Sequence, residues 1–218
     1  MLRRSGLQLL SNARCQLGMY PSAFCSTKAE ELKEPPKSKP LSLAERRQLY
    51  EQIIRVDHAG ELGAGRIYEG QMAVLGHTPS APMLKHMAEQ EKEHLEIFER
   101  LTAQHKVEPT VLLPLWHMAG WLLGASTALL GKEAAMACTV AVEESIAEHY
   151  NDQIRQLLAD DPEANKELLA LLTKCRDEEM EHHDIGLEED AEKAPFYSIL
   201  KDVIQLGCKG AIYVSTRI

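Results

Sequence analysis

The sequence predicts an all-α protein, a four-helix bundle with additional hydrophobic and amphipathic helices around it. Three observations point there. Aromatic residues make up only 5% of the 218 residues, so the core must be built from Leu, Ala, Met and Val, which suits helix packing better than a sheet sandwich. The word Glu-x-Glu-His appears twice, as Glu91-Lys92-Glu93-His94 and Glu179-Met180-Glu181-His182, each inside a long helical stretch. Finally, Glu61, Tyr68 and Gln71 recur with identical spacing as Glu143, Tyr150 and Gln153, which marks an internal repeat.

The first helix should begin near Leu41, because Ser42 and Glu45 have capping-box spacing and Leu49, Ile53, Val56, Ile67 and Val74 follow at roughly helical intervals. Gly60, Gly63, Gly65 and Gly70 oppose it, each by about 1 kcal/mol relative to Ala, and are read as places where something packs close to the backbone. Gly76 through Pro82 breaks the chain. A second helix then runs from about Met83 to His105. Val111 to Leu130 holds 20 residues without a charge, just long enough for a membrane span. Pro114 and His117 weaken that reading, since the clean part from Leu115 would be only about 24 Å long. A helix lying against or partly in a bilayer fits better, with a buried core helix as the alternative. Gly131 separates this run from a third bundle helix, Lys132 to about Leu158. Asp161-Pro162 then has the form of an N-cap followed by Pro at the first helical position, opening a fourth helix to about Glu192. After Pro195, the residues Phe196, Ile199, Leu200, Val203, Ile204, Gly207, Ala211 and Val214 share one helical side, as a fifth helix on the bundle or a membrane-surface segment.

Residues 1–29 contain Arg3, Arg4, Arg14 and Lys28 and no acidic residue, the composition of a mitochondrial transit peptide. Residues 30–40 are Lys-, Glu- and Pro-rich and read as a linker, leaving 41–218 as the folded domain. Beyond residue 29 the balance is 20 basic against 33 acidic residues, which argues against nucleic acid as a partner. Cys15 and Cys25 fall in the leader. Cys138, Cys175 and Cys208 form no Cys-x-x-Cys pair and read as free, mostly buried thiols.

A single Glu-x-x-His is cheap in a chain this rich in Glu, but the repeat gives it a setting. On a helix, residues i and i+3 share a face. The order Glu61, Glu91-x-x-His94, Glu143, Glu179-x-x-His182 is the order a four-helix dimetal carboxylate site requires, with one Glu from each of two helices and a Glu-x-x-His from each of the others. Glu91 and Glu179 should bridge two ions, with Glu61 and His94 holding one and Glu143 and His182 the other. The four carboxylates are also the candidate catalytic residues. Their charge of about −4 balances two divalent ions. Carboxylate and imidazole donors suit iron or manganese, and iron is the better choice for reaction with O2. The plain alternative is a set of solvated acidic helix faces. His58, Tyr68, His149 and Tyr150 lie beside ligand positions and are candidates to touch substrate or support a ligand, although packing explains each of them as well. Glu143 rather than Glu144 keeps the register of the repeat, and His183 points about 100° away from His182.

At these residues the sequence resembles the mitochondrial 5-demethoxyubiquinone hydroxylase family of ubiquinone biosynthesis. The likeness runs from about Ile53 to the C-terminus and includes Val56-Asp57-His58-Ala59-Gly60-Glu61, Gly131-Lys132-Glu133-Ala134-Ala135-Met136-Ala137-Cys138, Ala141-Val142-Glu143-Glu144-Ser145 and Glu178-Glu179-Met180-Glu181-His182-His183-Asp184. It implies a ferritin-like di-iron bundle that uses O2 to hydroxylate the ring of a polyprenyl quinone precursor. It also implies electrons derived from NADH, peripheral contact with the matrix side of the inner membrane, and work in a ubiquinone-synthesis complex with a lipid-binding partner protein. From the residues alone, an oxygenase acting on a lipid, an iron-oxidising or storage protein, and a metal-free helical scaffold all remain open. The uncharged run favours the first.

Overall fold

In the computed structural model, which describes residues 40–218, the chain forms six α-helices. They are α1 (Leu43–Leu75), α2 (Ala81–His105), α3 (Leu113–Leu129), α4 (Lys132–Asp160), α5 (Lys166–Glu188) and α6 (Tyr197–Ser215), with a 3-10 turn at Ala191–Lys193. The expected transit peptide, residues 1–29, and all but the end of the expected linker, residues 30–40, lie outside the described residues. Two hairpins, α1–α2 and α4–α5, make the bundle, while α3 lies along α1 and α6 along α4. This is the internal repeat in three dimensions.

The Ser42–Glu45 capping box opens α1, with Ser42 N donating to Glu45 Oε2 at 2.8 Å and Glu45 N to Ser42 Oγ at 3.3 Å. Arg46 and the Leu41 backbone N–H clamp this end to the last residue of α4: Arg46 Nε donates to Asp160 Oδ2 at 2.6 Å and Leu41 N to Oδ1 at 2.7 Å. Asp161 does not cap α5. Its Oδ1 accepts from the backbone of Glu163 and Ala164 and closes one isolated turn, and α5 starts only after Asn165. Tertiary bonds win here: Asn165 is buried, donates to Leu157 O at 2.9 Å and accepts from Tyr50 Oη at 2.9 Å. The fourth bundle helix also stops at Glu188 rather than Glu192, because Asp190 turns left-handed and Ala191 and Ala194 tuck into the core.

The uncharged run is a half-buried helix. Gly120, Gly124, Ala125, Thr127 and Ala128 of α3 are buried, the two glycines against α1, and Leu115, Met118, Leu122 and Leu129 are exposed. Among the described residues no helix is long and apolar enough to cross a membrane. Backbone meets backbone at this crossing: a Cβ on Gly124 would sit 2.9 Å from Ile67 Cα, and one on Gly70 would sit 2.7 Å from Ala125 N. The close-approach reading of the glycines in α1 therefore holds at Gly70. At Gly63 the backbone is approached too, since a Cβ on Gly120 would sit 2.6 Å from the Gly63 carbonyl oxygen, although a Cβ on Gly63 itself meets nothing within 4 Å; the reading fails at Gly60, where an added Cβ also meets nothing within 4 Å. The apolar side of α6 is divided as well. Ile204 is buried, while Phe196, Ile199, Val203, Leu206 and Tyr213 point outward.

Candidate metal centre

Each hairpin delivers three of the predicted residues to the middle of the bundle: Glu61 from α1 with Glu91 and His94 from α2, and Glu143 from α4 with Glu179 and His182 from α5. All six are at most 1% exposed. They form two groups, Glu61–Glu91–His94–Glu179 and Glu91–Glu143–Glu179–His182, in each of which one ligand atom per residue lies within 4.8 Å of the others. Glu91 and Glu179 belong to both groups. His94 Nδ1 is 3.2 Å from Glu179 and 3.4 Å from Glu61, and His182 Nδ1 is 3.1 Å from Glu91 and 3.4 Å from Glu179.

The surrounding side chains fix which atoms face inward. Tyr68 Oη donates to Glu143 Oε1 at 2.6 Å, and Tyr150 Oη donates to Glu61 Oε1, so each half of the repeat steadies the carboxylate of the other. Burial and the neighbouring carboxylates push both phenols well up, keeping them as donors. The outer ring nitrogens are also engaged: His94 Nε2 is 2.8 Å from Glu178 Oε2 and His182 Nε2 is 3.0 Å from Gln90 Oε1. Gln71 donates to Ala135 O and Thr139 Oγ1, and Gln153 donates to Asp57 Oδ1 at 2.7 Å.

Eight buried atoms of the six residues have no hydrogen-bond partner: Glu61 Oε2, both oxygens of Glu91 and of Glu179, Glu143 Oε2, and the Nδ1 atoms of His94 and His182. Buried polar groups are rarely left so. The strain shows in their protonation. Burial first, then the Glu179 charge, raises the carboxyls of Glu61, Glu91 and Glu143. At Glu179 burial is outweighed by the two imidazoles beside it, His182 and His94, and the carboxyl falls to about 2. Against burial, Glu179 and its neighbours raise both imidazoles. Two divalent cations would relieve the same charge problem, and the donor set fits hard or borderline ions such as iron or manganese.

The remaining candidates sit outside this cluster. His58 joins neither group; it is buried, with Nδ1 unpartnered, and burial lowers its pKa. His149 is part-buried, 2.8 Å from Gln153 Nε2 and 3.6 Å from Asp57. Glu144 turns away to Lys201 Nζ and Gln205 Nε2, each at 2.6 Å, and His183 pairs with Asp184 at 2.9 Å. The three cysteines of the domain are free, two of them buried. Glu178, Gln90 and Asp57 escaped the sequence reading. The repeat could have exposed them: one residue before each Glu-x-Glu-His stand Gln90 and Glu178, and four before Glu61 and Glu143 stand Asp57 and Thr139.

Outside the α1–α4 wall lies an apolar groove of about 390 Å³, lined among others by Gly60, Gly63, Trp116, Leu123, Val142 and Cys208. Gly60 and Val142 immediately precede Glu61 and Glu143. α3 and α6 form the rims, tied at one point by Trp116 Nε1 donating to Ser215 Oγ at 2.9 Å. Another concavity, of about 400 Å³, lies among Arg46, Tyr50, His105 and Lys106, away from the carboxylate cluster.

The profile of the family described as "Ubiquinone biosynthesis protein COQ7" matches residues 48–215. The chain is 62% identical over 172 residues to a Homo sapiens protein named NADPH-dependent 3-demethoxyubiquinone 3-hydroxylase, mitochondrial, covering 79% of each chain. It is 48% identical over 171 residues to the Rhodospirillum rubrum 3-demethoxyubiquinol 3-hydroxylase, covering 78% of this chain and 79% of that one. With the Saccharomyces cerevisiae protein named 5-demethoxyubiquinone hydroxylase, mitochondrial, identity is 39% over 208 residues, or 88% and 89% of the two chains. By these matches the chain belongs to the COQ7 family of ubiquinone-biosynthesis proteins.

Proposed function

We propose that this chain is a mitochondrial monooxygenase that uses O2 to hydroxylate the ring of a demethoxylated polyprenyl quinone, with two iron ions held by Glu61, Glu91, His94, Glu143, Glu179 and His182. The observation that carries the metal site is the set of eight unpartnered buried atoms in two groups sharing Glu91 and Glu179. A scaffold without metal would leave them all unsatisfied. The apolar groove beside Glu61 and Glu143 favours a lipid substrate over iron storage.

Two irons together would supply a pair of electrons to O2. The protein supplies the rest. Glu91 and Glu179 present both carboxylate oxygens to the centre, while Tyr68 and Tyr150 each occupy one oxygen of a flanking glutamate and leave the other free to bind. Glu178 and Gln90 direct the two Nδ1 atoms inward. The near-complete burial of all six excludes bulk water, so the fixed dipoles act in a low dielectric. The missing side chains of Gly60 and Gly63 leave the groove open for a quinone and its apolar tail.

Electrons would come from a reduced nicotinamide: NADH on the family resemblance, NADPH by the name of the Homo sapiens relative. The exposed apolar residues Leu115, Met118 and Leu122 on α3, and Ile199, Val203 and Leu206 on α6, suit peripheral docking on the matrix side of the inner membrane and contact with a lipid-binding partner in a biosynthetic complex. The test measures iron per chain and O2-dependent conversion of a demethoxyquinone by the purified protein, with NADH and NADPH compared. Two irons and a hydroxylated product support the reading; a metal-free protein, or iron oxidation with no quinone product, overturns it.

A further inference from the structure

The two halves of the centre differ at Asp57, whose counterpart in the repeat is Thr139, and, closer to the ligands, where each histidine is held. His94 leans on a carboxylate, Glu178 Oε2 at 2.8 Å, and that same oxygen is 2.8 Å from Lys174 Nζ. His182, its counterpart in the repeat, leans on a neutral amide, Gln90 Oε1 at 3.0 Å. Gln90 and Glu178 occupy the same place in the repeat, one residue before Glu91 and Glu179. The inner contacts nearly superpose, His94 to Glu179 at 3.2 Å and His182 to Glu91 at 3.1 Å. This difference at the ligands is thus chemical and sits behind the imidazoles.

A carboxylate accepting from the outer N–H of a ligating histidine draws that proton toward itself and makes the inner nitrogen a stronger donor; an amide oxygen does so much less. Stronger donation favours the higher oxidation state of the metal it reaches. We propose that the two ion positions are electronically unequal, and that Glu178 is the positioning residue that makes the Glu61–His94 position the tighter-binding one, ferric longest, with the Glu143–His182 position reduced first. This rests on the di-iron reading above. The first electron, from reduced nicotinamide in turnover or from dithionite in the test, converts Fe(III) to Fe(II) at the Glu143–His182 position. The second does the same at Glu61–His94, and no protein bond is made or broken.

The test uses the full chain loaded with ⁵⁷Fe and needs no turnover. Mössbauer spectra are recorded for the diferric protein and after one electron equivalent of dithionite, and iron release to a chelator is followed for each position. Wild type should show two distinct ferric environments. The one shifted by Glu178→Gln should be the one that stays ferric after the first electron, and it should release its iron more slowly. Glu178→Gln should weaken that position about 10–100-fold, the usual cost of losing such a partner, and leave the other unchanged. Gln90→Glu should strengthen the second position, and the double variant Glu178→Gln/Gln90→Glu should reverse the order of reduction. A merely structural role for Glu178 would loosen the centre without reversing anything. Iron bound in two positions whose order of reduction is the same in wild type and double variant overturns the inference and leaves the proposed function standing. No bound iron overturns both.

Discussion

The crossing of α3 over α1 yields a prediction in which one substitution has opposite signs at two sites. At Gly124 a methyl group would sit 2.7 Å from the Ile67 carbonyl carbon and 2.9 Å from its Cα. These are backbone atoms of another helix, so no side chain can swing aside. The Ile67 carbonyl oxygen is closer still, and restoring ordinary contact with it requires the helices to part by about 1.5 Å along the Gly120, Gly124 and Gly70 seam, which puts the cost at the upper end of the usual range for overpacking, about 2–3 kcal/mol. The better helix propensity of Ala returns about 1 kcal/mol, leaving a net loss of about 1–2 kcal/mol. At about 2–4 °C per kcal/mol for a chain of this size, Gly124→Ala should lower Tm by roughly 2–8 °C. At Gly60 the added methyl meets nothing within 4 Å. Only the propensity term survives there, so Gly60→Ala should raise Tm by roughly 1–4 °C. The same methyl enters the groove beside Glu61, so kcat/KM for a long-tailed quinone should fall in this more stable protein. Thermal denaturation of the two iron-loaded variants by circular dichroism, with quinone turnover measured alongside, checks both. Equal signs of the Tm shift would refute the assignment of Gly124 to a backbone contact and of Gly60 to an open wall.

His94→Ala and His182→Ala should each abolish hydroxylation and lower iron content while preserving most helical signal by circular dichroism; two irons and full activity in either would remove it from the ligand set. Glu143→Gln should eliminate most turnover and Glu144→Gln far less, since Glu143 faces the centre beneath Tyr68 and Glu144 faces Lys201; the reverse ranking in metal analysis would undo the register of the repeat. Acidic residues at Met118 and Leu122 should release the protein from liposomes without loss of iron. Trp116 and Leu123, which line the groove, should affect quinone KM instead, and unchanged liposome binding in the first pair would assign that face to a protein partner. Arg46 holds the Asp160 carboxyl at about 2, below its ordinary 3.8. Its stabilisation is therefore complete above the ordinary value and lost as pH falls from there through about 2, so Asp160→Asn should flatten the dependence of Tm on pH across that window.

The sequence alone determined the bundle, the order of its helices and which six carboxylate and imidazole side chains the fold gathers at its middle. Helical spacing puts Glu and His of each Glu-x-Glu-His on one face, and the register Glu–Tyr–Gln chooses Glu143 over Glu144; these are local, periodic facts that survive any packing. Element ends were another matter. Asp161-Pro162 has the form of a helix start, yet Asn165, bonded to Leu157 at the end of α4 and to Tyr50, 115 residues away, moves the start to Lys166. Glycines were equally ambiguous, because a missing side chain records that space is needed without saying whether a helix or a ligand will use it. Tertiary structure decided that Gly70 and Gly124 take a helix and that Gly60 and Gly63 leave a groove. It also decided what stands behind each histidine. Glu178 and Gln90 match no motif by themselves, and only the folding of α2 against α5 brings one carboxylate and one amide to two imidazoles that local sequence makes equivalent.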